Sequence, residues 1–211
     1  AMTVCRYIKE HDNGITNFHF EVAADVLKDD EIELISDMRP GLIQLEIGVQ
    51  STNPDTLSAI RRKTDIAEIR KITHHINSRH NIHQHLDLIA GLPHEDLSSF
   101  RKSFNEVYDM EPEQLQLGFL KVLKGSYMEE MIPACELLYS SSPPYEVLST
   151  RWLSYGDILE LKAVEEMVEV YYNSRQFTCT LEQLRQEFDT PYEMLSLIHI
   201  SEPTRHLRIS Y

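Results

Sequence analysis

The sequence predicts an α/β fold, in which parallel strands form a partial barrel that is followed by a helical extension. Four strand-like runs alternate with helical patterns, and this order indicates βα units with a parallel sheet. Each run also has one apolar face and one polar face. Strands of an open doubly wound sheet are covered on both faces and are apolar almost throughout. A polar second face therefore favours a barrel that encloses a site.

The first βα unit lies at the beginning of the chain. Residues 1–13 are predicted to form a helix, because apolar positions recur at helical spacing and Gly14 is a common residue at helix ends. Alternating apolar residues predict a strand over 17–22. A further helix is predicted over 28–38, where acidic residues of the first turn match the helix dipole.

The remaining units repeat this order. A helix over 53–79 is predicted to begin with an Asn cap and a Pro at its first position. Another helix, over 94–110, has one apolar side. The strands of these units are predicted at 41–51, 81–91 and 113–123.

Composition limits the classes of function. The 211 residues are 42% hydrophobic, which is enough for a buried core, and they contain no apolar run near the roughly 18 residues of a spanning helix. With a net charge of −14, general binding to nucleic acid or to an anionic membrane is not expected. No secretory leader pattern opens the chain, so we expect a cytoplasmic protein. The three cysteines have no CxxC spacing, and they predict neither a disulfide framework nor a zinc ribbon.

A polar face on the strand over 81–91 indicates where chemistry takes place. This strand alternates apolar residues with His83, His85 and Asp87, which therefore share one face. In βα barrels the site lies at the C-terminal ends of the strands. We therefore expect a polar site where this strand ends, beside the sequence GVQS at 48–51.

The two ends of the chain have unusual features. The helix over 1–13 has no capping residue and position 1 is not Met, so we expect the chain to begin within a longer protein. Residues 195–205, LSLIHISEPTR, resemble a translated sequencing-library adapter, with 206–208 at its barcode. We therefore expect 195–211 to be a tail that is not part of the natural protein. The alternative is a native tail with a turn at SEPTR.

Four segments resemble the radical SAM enzymes. IGVQSTNPDTLSAIRR and LDLIAGLPHED are similar to oxygen-independent coproporphyrinogen dehydrogenases and their relatives. FHFEVAADVL and LQLGFLKVLKG resemble an uncharacterised subfamily of cobalamin-binding-type radical SAM proteins that has a helical C-terminal extension. Further short matches to that subfamily, PPYEVL and YYNSRQF, extend the likeness to about residue 190. No single motif is specific, but their order and spacing together are.

The resemblance implies an α/β fold that corresponds to the C-terminal two-thirds of a partial (β/α)6 TIM-like barrel with parallel strands. Its implied domains are a barrel over 1–128 without its first strands, a linker over 129–144, a helical extension over 145–194 and the tail over 195–211. The extension would either close the substrate side of the barrel or pack on its outside.

The resemblance also implies the cofactors and the residues that bind them. S-adenosylmethionine would lie at the strand ends beside a [4Fe–4S] cluster, whose electron would cleave it to a 5′-deoxyadenosyl radical. The implied contacts are Glu21 to the methionine or ribose part, Gln50 and Asp87 to the ribose or adjoining groups, Arg62 to the methionine carboxylate, and Gly91 with Pro93 in the turn beside the adenine. The relatives usually have Gly before this Arg where the present chain has Arg61, so Arg61 competes with Arg62 for the role.

One family feature does not occur in the sequence. The relatives hold their cluster with CxxxCxxC, and no such spacing is present. The resemblance places this motif before residue 1, and any cobalamin-binding domain further upstream. We therefore expect that the chain alone cannot cleave S-adenosylmethionine, although the whole protein would act on a small-molecule or other unknown substrate with a reductant. The sequence identifies neither catalytic residues nor metal ligands.

Two other functions remain open. A metal-dependent TIM-barrel hydrolase could use His83, His85 and Asp87, because these ligand types share one strand face. A non-catalytic interaction module is also compatible with an incomplete barrel and an acidic surface.

Overall fold

The computed structural model describes residues 2–23 and 27–201. It confirms the α/β fold, with a sheet of four parallel strands in the order β1-β2-β3-β4. Parallel neighbours need crossover connections, and helical segments supply them. The strands are β1 (Phe18–Val22), β2 (Ile43–Gln50), β3 (His83–Ala90) and β4 (Gln114–Phe119).

Helices precede and connect these strands. The three that follow β2 and β3 each begin after a side chain that accepts a hydrogen bond from a backbone N–H of the first turn, namely Asn53, Asp65 or Asp96. The helices are α1 (Met2–Glu10), α2 (Asp29–Ser36), α3 (Pro54–Ala59), α4 (Ile66–Asn77) and α5 (Leu97–Tyr108).

The prediction of one continuous helix over 53–79 is wrong. The chain leaves the helical conformation after Ile60, because Arg61 adopts a left-handed φ of 60°. The N–H of Arg62 donates to the carbonyl of Leu57 at 2.9 Å, and that of Arg61 donates to Ser58 at 3.1 Å. This pair of hydrogen bonds is a Schellman motif, which ends α3 and returns the chain toward β2.

The strands have the two faces that the sequence predicts. On β2 and β3 the apolar face is buried throughout, and its members are Ile43, Leu45, Ile47, Val49, Leu86, Leu88 and Ala90. Burial of each large side chain stabilises the fold by about 1.5–3 kcal/mol. The opposite face carries the other polar residues of both strands, since only Gln84 of β3 is buried on the apolar side, and it is more open, as on β3 where His83 is exposed and Asp87 is half-buried. Packing of the apolar face therefore fixes the strands that carry the polar residues.

Short elements follow β4. They are α6 (Tyr127–Glu130), α7 (Ile132–Cys135) and the antiparallel pair β5 (Leu138–Tyr139) and β6 (Val147–Ser149). The segment over 129–144, which the sequence predicts as a linker, therefore contains regular structure.

The extension forms α8 (Tyr155–Met167), a π-helical turn (Val168–Asn173), α9 (Thr178–Leu184) and α10 (Pro191–Ser201). An apolar stripe along its first helix and into the π-helical turn is buried, and α10 packs against both α5 and α8; the stripe consists of Ile158, Leu161, Val164 and Val168. Asn173 covers the free edge of β4, because its side chain accepts from the N–H of Leu115 at 3.0 Å and donates to the carbonyl of Leu115 at 2.9 Å. An exposed strand edge would otherwise be open to pairing with other chains.

The predicted tail over 195–211 begins inside α10. Leu195 is buried, whereas Leu197 and Ile200 are exposed. Residues 202–211 lie outside the described residues, as do 24–26 of the segment FHFEVAADVL. Within the described ranges, no helix combines the length and apolar character that crossing a membrane requires.

Candidate functional site

A hydrogen bond joins the C-terminal ends of the two central strands. The side-chain amide of Gln50 donates to Oδ2 of Asp87 at 2.6 Å. Gln50 has a left-handed φ of 68°, and the pairing of β2 with β3 becomes irregular between Gly48 and Gln50. This local bend turns the last residue of β2 so that its side chain reaches the polar face of β3.

The side chain of Arg62 lies beside Gln50 at the end of β2. A Cβ at position 48 would be only 3.1 Å from Nη2 of Arg62 and 3.1 Å from Nε2 of Gln50, so the missing side chain of Gly48 leaves the space that both groups occupy. The guanidinium of Arg61 instead lies over the ring of Tyr127, 3.8 Å from its centroid. The structure therefore brings Arg62, and not Arg61, beside Gln50.

One carboxyl oxygen of Asp87 has no partner among the residues that the structure describes. Oδ1 is buried and makes no hydrogen bond with them, although Oδ2 accepts from Gln50. Burial, and after it the nearby carboxylate of Glu46, raise the pKa of Asp87 to about 6, against the opposing effects of Arg62 and of the backbone N–H groups of Asp87 and Val49. A buried acceptor without a donor is costly, and a ligand hydroxyl at Oδ1 would remove that cost.

Two other predicted residues occupy different positions. Glu21 is exposed on the edge strand β1, where it stands in register with Glu46. Gly91 has a φ of 90° in the turn after β3, and a Cβ there would lie 2.6 Å from Cγ1 of Val147. Gly91 is thus required by the turn and by the close approach of β6, while the neighbouring Pro93 is buried.

Histidine side chains lie next to this site on the same polar face, nearer the N-terminal ends of the strands. Nε2 of Gln44 is 2.8 Å from Nε2 of His85, and the rings of His83 and His85 are 4.7 Å apart. Burial lowers the pKa of His85 to about 4, and His83 and His19 contribute. In the part of the chain that the structure describes, no three His, Cys, Asp or Glu side chains are arranged to hold a metal ion. The hydrolase alternative therefore gains no ligand set from this geometry.

Sequence reasoning missed a buried carboxylate next to the site. Glu95 is fully buried, and its Oε1 accepts hydrogen bonds from Ser51 Oγ at 2.6 Å and Ser103 Oγ at 3.0 Å. Burial raises the pKa of Glu95 to about 7, against the effect of both hydroxyls. The local sequence, His-Glu-Asp at 94–96, does not distinguish Glu95 from a solvated acid, because its hydrogen-bond partners are distant in the sequence.

Of the cofactors that the resemblance implies, the site residues fit S-adenosylmethionine but not the iron–sulfur cluster. The free Oδ1 of Asp87, the amide of Gln50 and the space above Gly48 suit a ribose with a nearby carboxylate, as in S-adenosylmethionine. The cysteines do not fit an iron–sulfur cluster. Cys5 is on α1, Cys135 is buried at the end of α7 and Cys179 is exposed on α9.

Comparisons with known proteins agree with the resemblance to radical SAM enzymes. The chain is 34% identical over 87 residues to an oxygen-independent coproporphyrinogen-III oxidase-like protein of Bacillus subtilis, a match that covers 40% of this chain and 17% of that protein. A family model described as a protein of unknown function, DUF4080, matches residues 135–199.

Two solved structures share the fold. Coproporphyrinogen III oxidase from Escherichia coli, a radical SAM enzyme, aligns with a TM-score of 0.56 at 18% identity over 76% of this chain and 35% of its own. The radical S-adenosylmethionine methyltransferase TsrM from Kitasatospora setae, with cobalamin and a [4Fe–4S] cluster bound, aligns at 0.55 and 12% identity over 72% of this chain and 31% of its own. The chain therefore has the partial barrel fold of radical SAM enzymes, and it spans about a third or less of the relatives that it matches.

Proposed function

We propose that this chain forms the S-adenosylmethionine-binding part of a radical SAM enzyme. The observation that carries the proposal is the convergence of Gln50, Asp87 and Arg62 at the C-terminal ends of β2 and β3. Ligands of βα folds bind at this edge of the sheet. The likeness in fold and the partial likeness in sequence to coproporphyrinogen oxidases support the same cofactor.

Each residue has a distinct task in this proposal. Asp87 accepts a hydrogen bond from a ribose hydroxyl through Oδ1, and Gln50 holds the carboxylate in place through Oδ2. Arg62 pairs with the methionine carboxylate, because a guanidinium offers two parallel donors to a carboxylate. Glu21, on the exposed edge strand, contacts the methionine or ribose part, and Gly91 shapes the turn beside the adenine.

The cluster is the part of the proposal that this chain does not supply. A [4Fe–4S] cluster would supply one electron to bound S-adenosylmethionine, and cleavage of its sulfonium C–S bond would give methionine and a 5′-deoxyadenosyl radical that would abstract hydrogen from a substrate. We propose that the cluster ligands, and any site for cobalamin, belong to segments outside these 211 residues. The substrate, the reductant and a cytoplasmic location are likewise proposals for the whole protein. The residues of this chain bind and orient the cofactor and keep water from it.

Isothermal titration with S-adenosylmethionine tests the binding proposal. We expect the purified chain to bind one equivalent, and Asp87→Asn to weaken binding by about tenfold, because an amide cannot replace a charged acceptor. Equal affinity of both proteins would contradict the proposed site. In a separate assay with iron, sulfide and dithionite, formation of 5′-deoxyadenosine by the chain alone would contradict the assignment of the cluster to other segments.

A further inference from the structure

The turn that ends α3 contains an unusual residue. Arg61 occupies the left-handed position of the Schellman motif, with a φ of 60°. Glycine is favoured at this position, because a residue with a Cβ is strained there. The chain nevertheless has an arginine, so the side chain is expected to compensate for the backbone conformation.

The side chain of Arg61 makes one well-defined contact. Its Cζ lies 3.8 Å from the centroid of the Tyr127 ring, within the range of a cation–π interaction. Tyr127 is half-buried at the start of α6, in the segment that follows β4. Because β3 lies between β2 and β4 in the sheet, this contact connects loops that are not neighbours.

The adjacent residue points to the purpose of the contact. Arg62 follows directly in the turn, and its two terminal nitrogens lie 3.1 and 3.2 Å from the Cβ position of Gly48. A change in the turn at Arg61 would therefore move the guanidinium of Arg62 relative to Gln50. The backbone hydrogen bond from Arg62 to Leu57 fixes one side of the turn, and the ring of Tyr127 fixes the other.

We propose that Arg61 is a positioning residue, which stacks on Tyr127 and thereby holds Arg62 in the orientation that binds the carboxylate of S-adenosylmethionine. This inference rests on the proposed function. It assigns Arg61 an indirect role, and it gives the segment after β4 an influence on cofactor affinity.

Five single variants of the chain, one of them Arg62→Ala, and a double variant test the inference by titration with S-adenosylmethionine. Arg61→Gly fits the left-handed turn without the stacking group, so its melting temperature stays within about 3 °C of the wild type while affinity falls about threefold to fivefold. Tyr127→Leu lowers affinity by a similar factor, whereas Tyr127→Phe keeps the ring and the affinity. The combined Arg61→Gly/Tyr127→Leu protein binds no more weakly than either single variant, because both remove one interaction. Lys63→Ala, which removes an exposed positive charge one residue beyond Arg62, binds as the wild type.

The affinities of these variants test the positioning role of Arg61 separately from the proposed cofactor site. If Arg61→Gly binds as the wild type while Arg62→Ala loses affinity, the positioning role is overturned and the proposed function stands. If Arg61→Gly weakens binding but Tyr127→Leu does not, Arg61 acts without Tyr127 and the inference is equally overturned. If Arg62→Ala also binds as the wild type, or the wild type does not bind, the proposed site itself is contradicted.

Discussion

The amide of Gln50 and the carboxylate of Asp87 meet across two parallel strands at 2.6 Å. This contact depends on the left-handed backbone of Gln50, which bends the end of β2 toward β3. It leaves Oδ1 of Asp87 buried and without a donor in residues 2–23 and 27–201. A strained residue, Gln50, beside a buried acceptor without a donor on Asp87 is the arrangement expected of a binding site rather than of a core.

Ionisation of Asp87 should control the affinity for the cofactor. Burial and Glu46 raise the pKa of Asp87 to about 6, and a cationic ligand with ribose hydroxyls favours its charged form. Affinity for S-adenosylmethionine should therefore rise between pH 5 and pH 7. Titrations of the wild type and of Asp87→Asn across this range check the prediction. An equal slope in both proteins would assign the pH dependence to another group.

Gly48 should be required for binding more than for folding. In Gly48→Ala the new methyl group displaces the ends of two flexible side chains, Arg62 and Gln50, at little cost to the fold. We expect a loss of stability below about 1 kcal/mol together with a clear loss of affinity. Gly118→Ala is the matched control. Gly118 is on the same polar face of the sheet, and a Cβ there would lie 3.6 Å from its nearest neighbour, the backbone oxygen of Leu88, which is an ordinary contact distance. Urea denaturation measures the stability of both variants, and titration measures their affinity for S-adenosylmethionine. An equal loss of affinity in Gly48→Ala and Gly118→Ala would refute the prediction.

Gly91 should be required for folding. In Gly91→Ala the new Cβ lies 2.6 Å from Val147 and the φ of 90° is unfavourable, so we expect a loss of about 2 kcal/mol or more in the free energy of unfolding. Gly125→Ala has a similar φ but nothing within 4 Å, and should lose about 1 kcal/mol. Urea denaturation measures both, and Val147→Ala in the Gly91→Ala background should recover part of the difference. Equal losses at the two glycines would show that contact with β6 is unimportant.

Glu95 should make stability depend on pH. Because the pKa of Glu95 is raised in the folded protein from 4.5 to about 7, its contribution to stability is full below its ordinary value and is lost as pH rises through about 7. Glu95→Gln should remove this dependence while it keeps an acceptor for Ser51 and Ser103. The wild type should therefore lose stability relative to the variant between pH 5 and pH 8, by roughly 2 kcal/mol. Urea denaturation at both pH values gives this difference, and a constant difference would contradict the prediction.

Local patterns predict much of this fold. The alternation on β2 and β3 identifies both faces of each strand, since side chains of a strand alternate whatever surrounds it. The Asn and Pro at the start of α3 likewise act within one turn of chain. The end of α3 is not predictable in this way, because Arg61 adopts a conformation that most arginines avoid.

Contacts between distant segments account for the rest. Nothing near Glu95 in the sequence indicates that Ser51 and Ser103 enclose it. The choice between Arg61 and Arg62 is equally non-local, as it depends on the position of Tyr127 after β4. Gln50 and Asp87 are predictable as strand-end residues, but their hydrogen bond needs the irregular pairing between β2 and β3.

A crystal structure of the chain with S-adenosylhomocysteine tests the central claim most directly. The predicted result is a ribose within hydrogen-bond distance of Oδ1 of Asp87 and a carboxylate paired with Arg62, at the C-terminal ends of β2 and β3. A ligand bound at any other place, with Oδ1 of Asp87 still without a partner at full occupancy, would contradict the proposed site.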